Sequence, residues 1–154
     1  MKDYLDLKFR PASIEDIFII GEIEKRCFSS SDVFKPYQLR HFIKNPNDSI
    51  LTDVLFLDEK IIGWATYFTR KNSSIIRLYS LCIHPDYSGK GYAFQYMNMR
   101  MKSFGSYNAM VLEVRVSNSR AIHLYEKIGF QIYRKLPAYY PDGEDGYRMI
   151  RKIS

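Results

Sequence analysis

"SGKGYAFQYMNMRMKSFG", residues Ser88 to Gly105, sets two glycines around a lysine and then runs into an apolar pattern at helical spacing. A helix that starts on such a loop begins with about four unpaired backbone N–H groups and a partial positive charge of roughly half an electron. Glycines just ahead of it clear the approach to those donors. Gly89 and Gly91 permit close backbone contact with an anion, Ala93 keeps the first turn uncluttered, and Lys90 adds a cation. Taken alone, a Gly-x-Gly turn before a helix is more often ordinary loop chemistry. No Gly-Lys-Ser/Thr follows at the spacing of a Walker A loop, and the third glycine of a dinucleotide fingerprint is missing.

The flanking sequence supplies the fold. Upstream, "LKFRP" reads as a short strand, and Ser13 with Asp16 three residues on opens a capping-box-like helix from Ser13 to Cys27, with Ile14, Ile17, Ile20 and Ile23 at near-helical spacing. "FSSSDVF" breaks that helix, Pro36 suits the first turn of a second through Ile43, and "KNPNDS" is a polar loop. "ILTDVLFLDEKIIGWATYFTR" is a hairpin of two β-rich runs turning at Asp58, Glu59 and Lys60, and a third strand follows from Ser74 to Ile83. Downstream come a compact β run, "AMVLEVRV", and the helix "NSRAIHLYEKIGF", whose packed side carries Ile122, Leu124, Tyr125 and Ile128 and whose C-cap is Gly129. Two last strands lie near Phe130 to Arg134 and Tyr147 to Lys152. The order β-α-α-β-β-β-α-β-α-β-β predicts an α/β domain on a mixed sheet.

Composition bounds the function. A chain of 154 residues, 46% apolar and 26% charged, fits one globular domain spanning 1–154. The N-terminal "MKDYLDLKFRP" is charged throughout and no apolar run approaches the roughly 20 residues that cross a bilayer, so a soluble cytoplasmic protein without a membrane role is expected. The net charge of +6 is spread along the chain with no run of five basic residues, which fits a small anionic ligand better than direct nucleic-acid binding. Cys27 and Cys82 stand in unrelated contexts, with no CxxC or Cys/His spacing, and read as reduced, buried thiols; no metal is expected.

Read as a whole, "RLYSLCIHPDYSGKGYAFQYM" resembles the acetyl-CoA-binding segment of the GNAT superfamily of N-acetyltransferases. The family loop is Gln/Arg-x-x-Gly-x-Gly/Ala, matched here at Ser88, Gly91 and Ala93, with Ser88 a departure from Gln/Arg. "LEVRVSNSRAIHLYEKIGF" resembles the second signature of the RimI-like branch, which includes the protein N-terminal acetyltransferases. "PAYYPDGEDGYRM" resembles the C-terminal hairpin of their catalytic subunits. The resemblance runs from about Ile50 to the end of the chain, and more loosely over the N-terminal helices. It implies the GNAT fold: a mostly antiparallel sheet of about seven strands flanked by about four helices, splayed between the fourth and fifth strands.

The resemblance also implies site residues. Acetyl-CoA would lie on the backbone of Leu81, Cys82 and Ile83, on the loop Ser88, Gly89, Lys90, Gly91 and the first turn Tyr92, Ala93, Phe94, and beside Asn118, which on its own spacing is equally a helix N-cap. Tyr125 occupies the family position of a hydroxyl near the coenzyme A sulfur, though a tyrosine at helical spacing is usually structural. Glu113 is a single acid within the apolar strand "VLEVRV". Burial would raise its pKa toward the working range of a base, and the structural alternative is a carboxylate paired with Arg115 two residues on. Tyr139 and Tyr140 match the paired tyrosines that enclose a peptide N-terminus, with Phe28, Phe34 and Tyr79 as further acceptor contacts. The acidic "DGED" after them reads as a solvated turn. The implied activity is acetylation of α-amino groups at protein N-termini, with a ribosomal protein as one acceptor and room for an auxiliary subunit or ribosome association. Two other classes stay open, a small-amine acetyltransferase and a non-enzymatic acyl-CoA-binding module.

Overall fold

The computed structural model describes residues 6–45 and 48–153. The charged segment before Asp6 and two positions of the polar loop after the second helix lie outside the described residues. The chain forms β1 (Leu7–Pro11), a 3-10 turn (Ile14–Asp16), α1 (Ile17–Cys27), α2 (Pro36–Ile43), β2 (Ile50–Leu57), β3 (Lys60–Phe68) and β4 (Ile75–Ile83). A second 3-10 turn (Pro85–Tyr87), α3 (Tyr92–Ser103), β5 (Ala109–Arg115), α4 (Ser119–Ile128), β6 (Gln131–Leu136) and β7 (Gly146–Lys152) follow. The seven strands make one sheet in the order β1-β2-β3-β4-β5-β7-β6. All pairs are antiparallel except β4 with β5. That is the expected GNAT arrangement.

Each face of the sheet has its own helix pair. Ile20 and Ile23 of α1 and Leu39 and Phe42 of α2 bury against Val54, Trp64 and Cys82. Tyr96, Met97 and Met101 of α3 and Ile128 of α4 bury against Leu55, Tyr67, Ile76, Leu112 and Met149 on the other face. Alternation along each strand feeds both layers, and bulges at Leu55/Phe56 and Thr66/Tyr67 shift which residues face which layer. The expected stripe on α1 is shorter than the spacing suggested. Ile14 falls in the 3-10 turn and is exposed, whereas Asp16 is buried, holding the Ser13 N–H at 2.7 Å and a paired contact from Arg10 at 2.8 and 2.9 Å.

One buried acid faces the α1–α2 layer. Glu24 is fully buried, its Oε1 accepts from Trp64 Nε1 at 3.1 Å, and its Oε2 accepts from the Phe34 backbone N–H at 3.3 Å. Burial pushes its carboxyl up from 4.5 to about 7 against those two hydrogen bonds. An acid held above its unfolded pKa binds its proton more tightly when folded. Its contribution to stability is full below pH 4.5 and is lost as pH rises to about 7. Relative to Glu24→Gln, which cannot titrate, wild-type stability should fall by up to about 3 kcal/mol across that window. Urea midpoints at pH 4.5, 6 and 7.5 measure this, and a constant gap between the two proteins would remove the effect.

Candidate active site

β4 and β5 pair over only three residues each, Ile75–Arg77 against Ala109–Val111. Beyond that junction the strands part, and two cavities open in the gap. The first, about 460 Å³, runs along Leu81, Cys82 and Ile83 to the loop Ser88, Gly89, Gly91 and the first turn of α3. The second, about 820 Å³, lies on the other side of the gap and is walled by Phe28, Phe34, Tyr79, Tyr139 and Tyr140. They meet at Cys27, Phe28, Leu81, Asn118, Ala121 and Tyr125, which line both.

The loop is built as the sequence demands of an anion cradle. Gly89 and Gly91 take φ of +75° and +84°, a region that other residues enter only under strain. Gly91 caps α3 without any side-chain hydrogen bond, and the first helical bond is Gln95 N–H to the Gly91 carbonyl at 3.0 Å. The N–H groups of Tyr92, Ala93 and Phe94 therefore have no partner within the helix, and all three residues line the first cavity. Ser88 turns away from the role of the Gln/Arg it replaces, donating its hydroxyl to the Pro85 carbonyl at 2.8 Å. Lys90 is not among the lining residues and sits over the Tyr87 ring at 5.7 Å. Arg26 and Arg120, which sequence reasoning missed, supply the cations there instead. Asn118 caps α4, accepting from Ala121 N–H at 3.2 Å, while lining both cavities.

Tyr125 packs its ring edge-on against Phe130 at 5.8 Å, and no described residue hydrogen-bonds its hydroxyl. Burial, with the nearby Tyr140 and Cys82 adding to it, pushes its phenol well above the ordinary value. Tyr125 thus keeps its proton and can donate it where the cavities meet.

Glu113 lines the second cavity, but its partners differ from the sequence expectation. Arg77 reaches its carboxylate at 2.8 and 3.1 Å, and Arg148, directly opposite on β7, at 3.1 Å. Arg115 does not pair with it. That guanidinium bonds Asp142 at 2.8 Å, Glu144 at 2.9 Å and Asp32 at 3.2 Å, and lies 4.2 Å from the Tyr140 ring centre. The "DGED" segment is the solvated turn expected, with the Asp142 side chain 62% exposed, but its acids also have partners: Asp142 and Glu144 hold Arg115, and Asp145 accepts from Ala138 N–H at 2.8 Å. Burial pushes the Tyr140 phenol up to about 12, and Tyr139 accepts from Arg77 at 3.1 Å. Tyr79 is the extra residue of the β3–β4 bulge, which aims it at the cavity to stack on Phe68 at 4.2 Å and Phe34 at 5.8 Å.

The family model described as acetyltransferase (GNAT) family matches residues 17–130. The chain belongs to the GNAT acetyltransferase family. An N-alpha-acetyltransferase of Saccharolobus solfataricus is 32% identical over 161 residues, covering 96% of this chain and 94% of that protein. An N-alpha-acetyltransferase of Caenorhabditis elegans is 38% identical over 157 residues, covering 96% and 84%. Among solved structures, the GNAT fold here superposes on the ribosomal-protein-S18-alanine N-acetyltransferase of Escherichia coli with a TM-score of 0.84 at 23% identity, covering 97% and 95% of the two chains. It superposes on the spermidine/spermine N-acetyltransferase of Vibrio cholerae at 0.79 and 20%, covering 96% and 93%. Among the described residues, no helix of this GNAT chain is long and apolar enough to cross a membrane, and no cluster of His, Cys, Asp or Glu could hold a metal.

Proposed function

We propose that this GNAT protein is a cytoplasmic enzyme that transfers an acetyl group from acetyl-CoA to the α-amino group of protein N-termini, ribosomal proteins among the acceptors, with both substrates bound together. The observation that carries the reading is the pair of cavities meeting at Tyr125, one ending on the bare N–H groups of α3 and the other walled by aromatic rings. The first fits the cofactor. Its pyrophosphate would lie on the backbone of Gly89 to Phe94 with Arg26 and Arg120 beside it, and its pantetheine amides on the freed edge of β4. When bound, it supplies a thioester carbonyl as the acyl donor.

The chain's own groups do the rest. With it bound, a backbone N–H of β4 would be placed to polarise the carbonyl, Tyr125 would hold the proton for the sulfur, and Glu113 would take one from the amine through water. An α-amine, with a pKa of about 7.7 to 8.0 against about 10.4 for lysine, needs only weak help of that kind near pH 7. Charge in the second cavity favours a peptide over a polyamine. Its two lining acids, Asp32 and Glu113, are both bonded to arginines, which leaves no free anionic wall for a multiply charged amine. The names and coverage of the archaeal and nematode relatives support the same reading. A peptide library varied at its first two positions, run beside spermidine and an aminoglycoside, tests it. Peptides should turn over and the small amines should not; the reverse would overturn it.

Gly91 gives a direct test of the loop. Nothing lies within 4 Å of a Cβ built there, so a side chain is not blocked, but valine at φ +84° costs about 1–2 kcal/mol and shifts the loop off its donors. With each lost charged hydrogen bond worth roughly 1.5–3 kcal/mol, acetyl-CoA affinity of Gly91→Val should drop by about tenfold or more. Calorimetry showing unchanged affinity in folded protein would refute the cradle.

A further inference from the structure

The two cysteines, 55 positions apart in sequence, both line the first cavity. Cys27 ends α1, and its Sγ donates to the Ile83 carbonyl at 3.1 Å, the residue after Cys82. Cys82 lies on β4, and its Sγ is 4.0 Å from the Ile23 carbonyl, one helical turn before Cys27. The contacts cross, each thiol on a carbonyl of the other's segment, and they set the two side chains against each other. Access is unequal. Cys27 is half-buried and lines both cavities, whereas Cys82 is 4% exposed and lines only the first. The neighbouring Cys82 thiol lowers the Cys27 thiol, with burial and Glu24 opposing and Arg26 assisting, while Cys82 is raised. An accessible nucleophilic thiol backed by a buried protonated one is the division of labour that thiol–disulfide exchange needs.

We propose that Cys27 and Cys82 form an oxidisable dithiol site that exchanges with a low-molecular-weight disulfide and competes with the cofactor. The Cys27 thiolate attacks one sulfur of the reagent and expels the other half as a thiolate. Cys82 then attacks the Cys27 sulfur of the mixed disulfide and expels the second half, which leaves with the Cys82 proton. Two protein thiols and one disulfide become one protein disulfide and two small thiols. Closing the pair draws its sulfurs together to about 2 Å and pulls the end of α1 onto β4. A shift of about 1 Å at the reacting centre costs on the order of 10²-fold in rate, and the closed form is inactive on that scale.

The competition rests on assigning the first cavity to acetyl-CoA; the dithiol chemistry does not. Reduced protein is treated with glutathione disulfide, its remaining thiols are alkylated, and peptides are mapped by mass. Wild type should yield a Cys27–Cys82 cross-linked peptide without retained glutathione, Cys82→Ala should keep one glutathione on Cys27, and Cys27→Ala should stay unmodified. Acetyl-CoA at about 100 times its Kd should slow closure by up to about 100-fold, and dithiothreitol should restore turnover. Free thiols throughout, or glutathione retained on wild-type Cys27, would overturn the proposal. Unslowed closure in protein shown by calorimetry to bind acetyl-CoA would also overturn it, as would full turnover by the cross-linked form. If calorimetry shows no acetyl-CoA binding to reduced protein, the cofactor assignment falls and the cross-linked peptide alone decides the dithiol.

Discussion

Glu113→Gln should lower kcat by about 10² to 10⁴ with little change in acetyl-CoA affinity, because the amide keeps the shape of the carboxylate and loses its basicity. The deficit should shrink toward pH 9. An α-amine with a pKa near 7.7 to 8.0 loses its own proton there, so the missing base matters less. Glu113 also stands between Arg77 and Arg148, and its side chain is 7% exposed. Removing its charge leaves two guanidiniums facing each other, and because Arg77 and Arg148 are 34% and 28% exposed the loss of stability is smaller than for a fully buried pair. The two roles separate in the pH profile. A residue that only anchors the arginines gives a lower melting temperature and a rate ratio constant from pH 6 to 9. Initial rates on one Ser- or Ala-starting peptide, corrected for folded fraction, decide it, and superimposable profiles would leave Tyr125 and backbone positioning as the catalytic groups.

Tyr125→Phe should lower kcat by about 10² or more while acetyl-CoA affinity stays near that of wild type. The ring that packs on Phe130 is kept, and no described residue loses a hydrogen bond when the hydroxyl goes. Stability should therefore hold, which makes this the cleaner of the two substitutions. Full turnover in the variant would show that the leaving sulfur takes its proton elsewhere and would return Tyr125 to core packing.

Local signals in the sequence carried the elements well. Pro36 at the start of α2, Asn118 and Gly129 at the two ends of α4, and the glycines before α3 each act within a few residues of themselves. Long-range pairing was not legible, because it depends on register. Glu113 was read against Arg115, two residues along the same strand and so about 6.6–6.8 Å away, whereas the residue directly opposite on an antiparallel neighbour lies about 4.5–5.5 Å off. Arg148 holds that opposite position, and only the β5–β7 register reveals it. Tyr79 reaches the second cavity through a bulge that leaves no mark in composition. The capture of Arg115 by Asp32, Asp142 and Glu144 joins three segments that no local window contains. The same holds for the contact of Cys27 with Cys82.

The three-residue junction between β4 and β5 also governs how the protein comes apart. On one side lie the antiparallel strands β1 to β4, on the other β5, β7 and β6, and among the described residues the ladder between the halves is shorter than any other in the sheet. Backbone pairing is thinnest at this seam, although the core under α3 and α4 runs across it. Amide hydrogen exchange should find the edges of β4 and β5 past Arg77 and Val111 less protected than the centres of β3 and β7. A ligand lying across the gap joins what the backbone leaves apart, adding about 2.7 kcal/mol to global stability at 100 times its Kd. Saturation with substrate thus bridges the thinnest seam of the sheet, and the resting enzyme pays in local protection for a cleft wide enough to receive it.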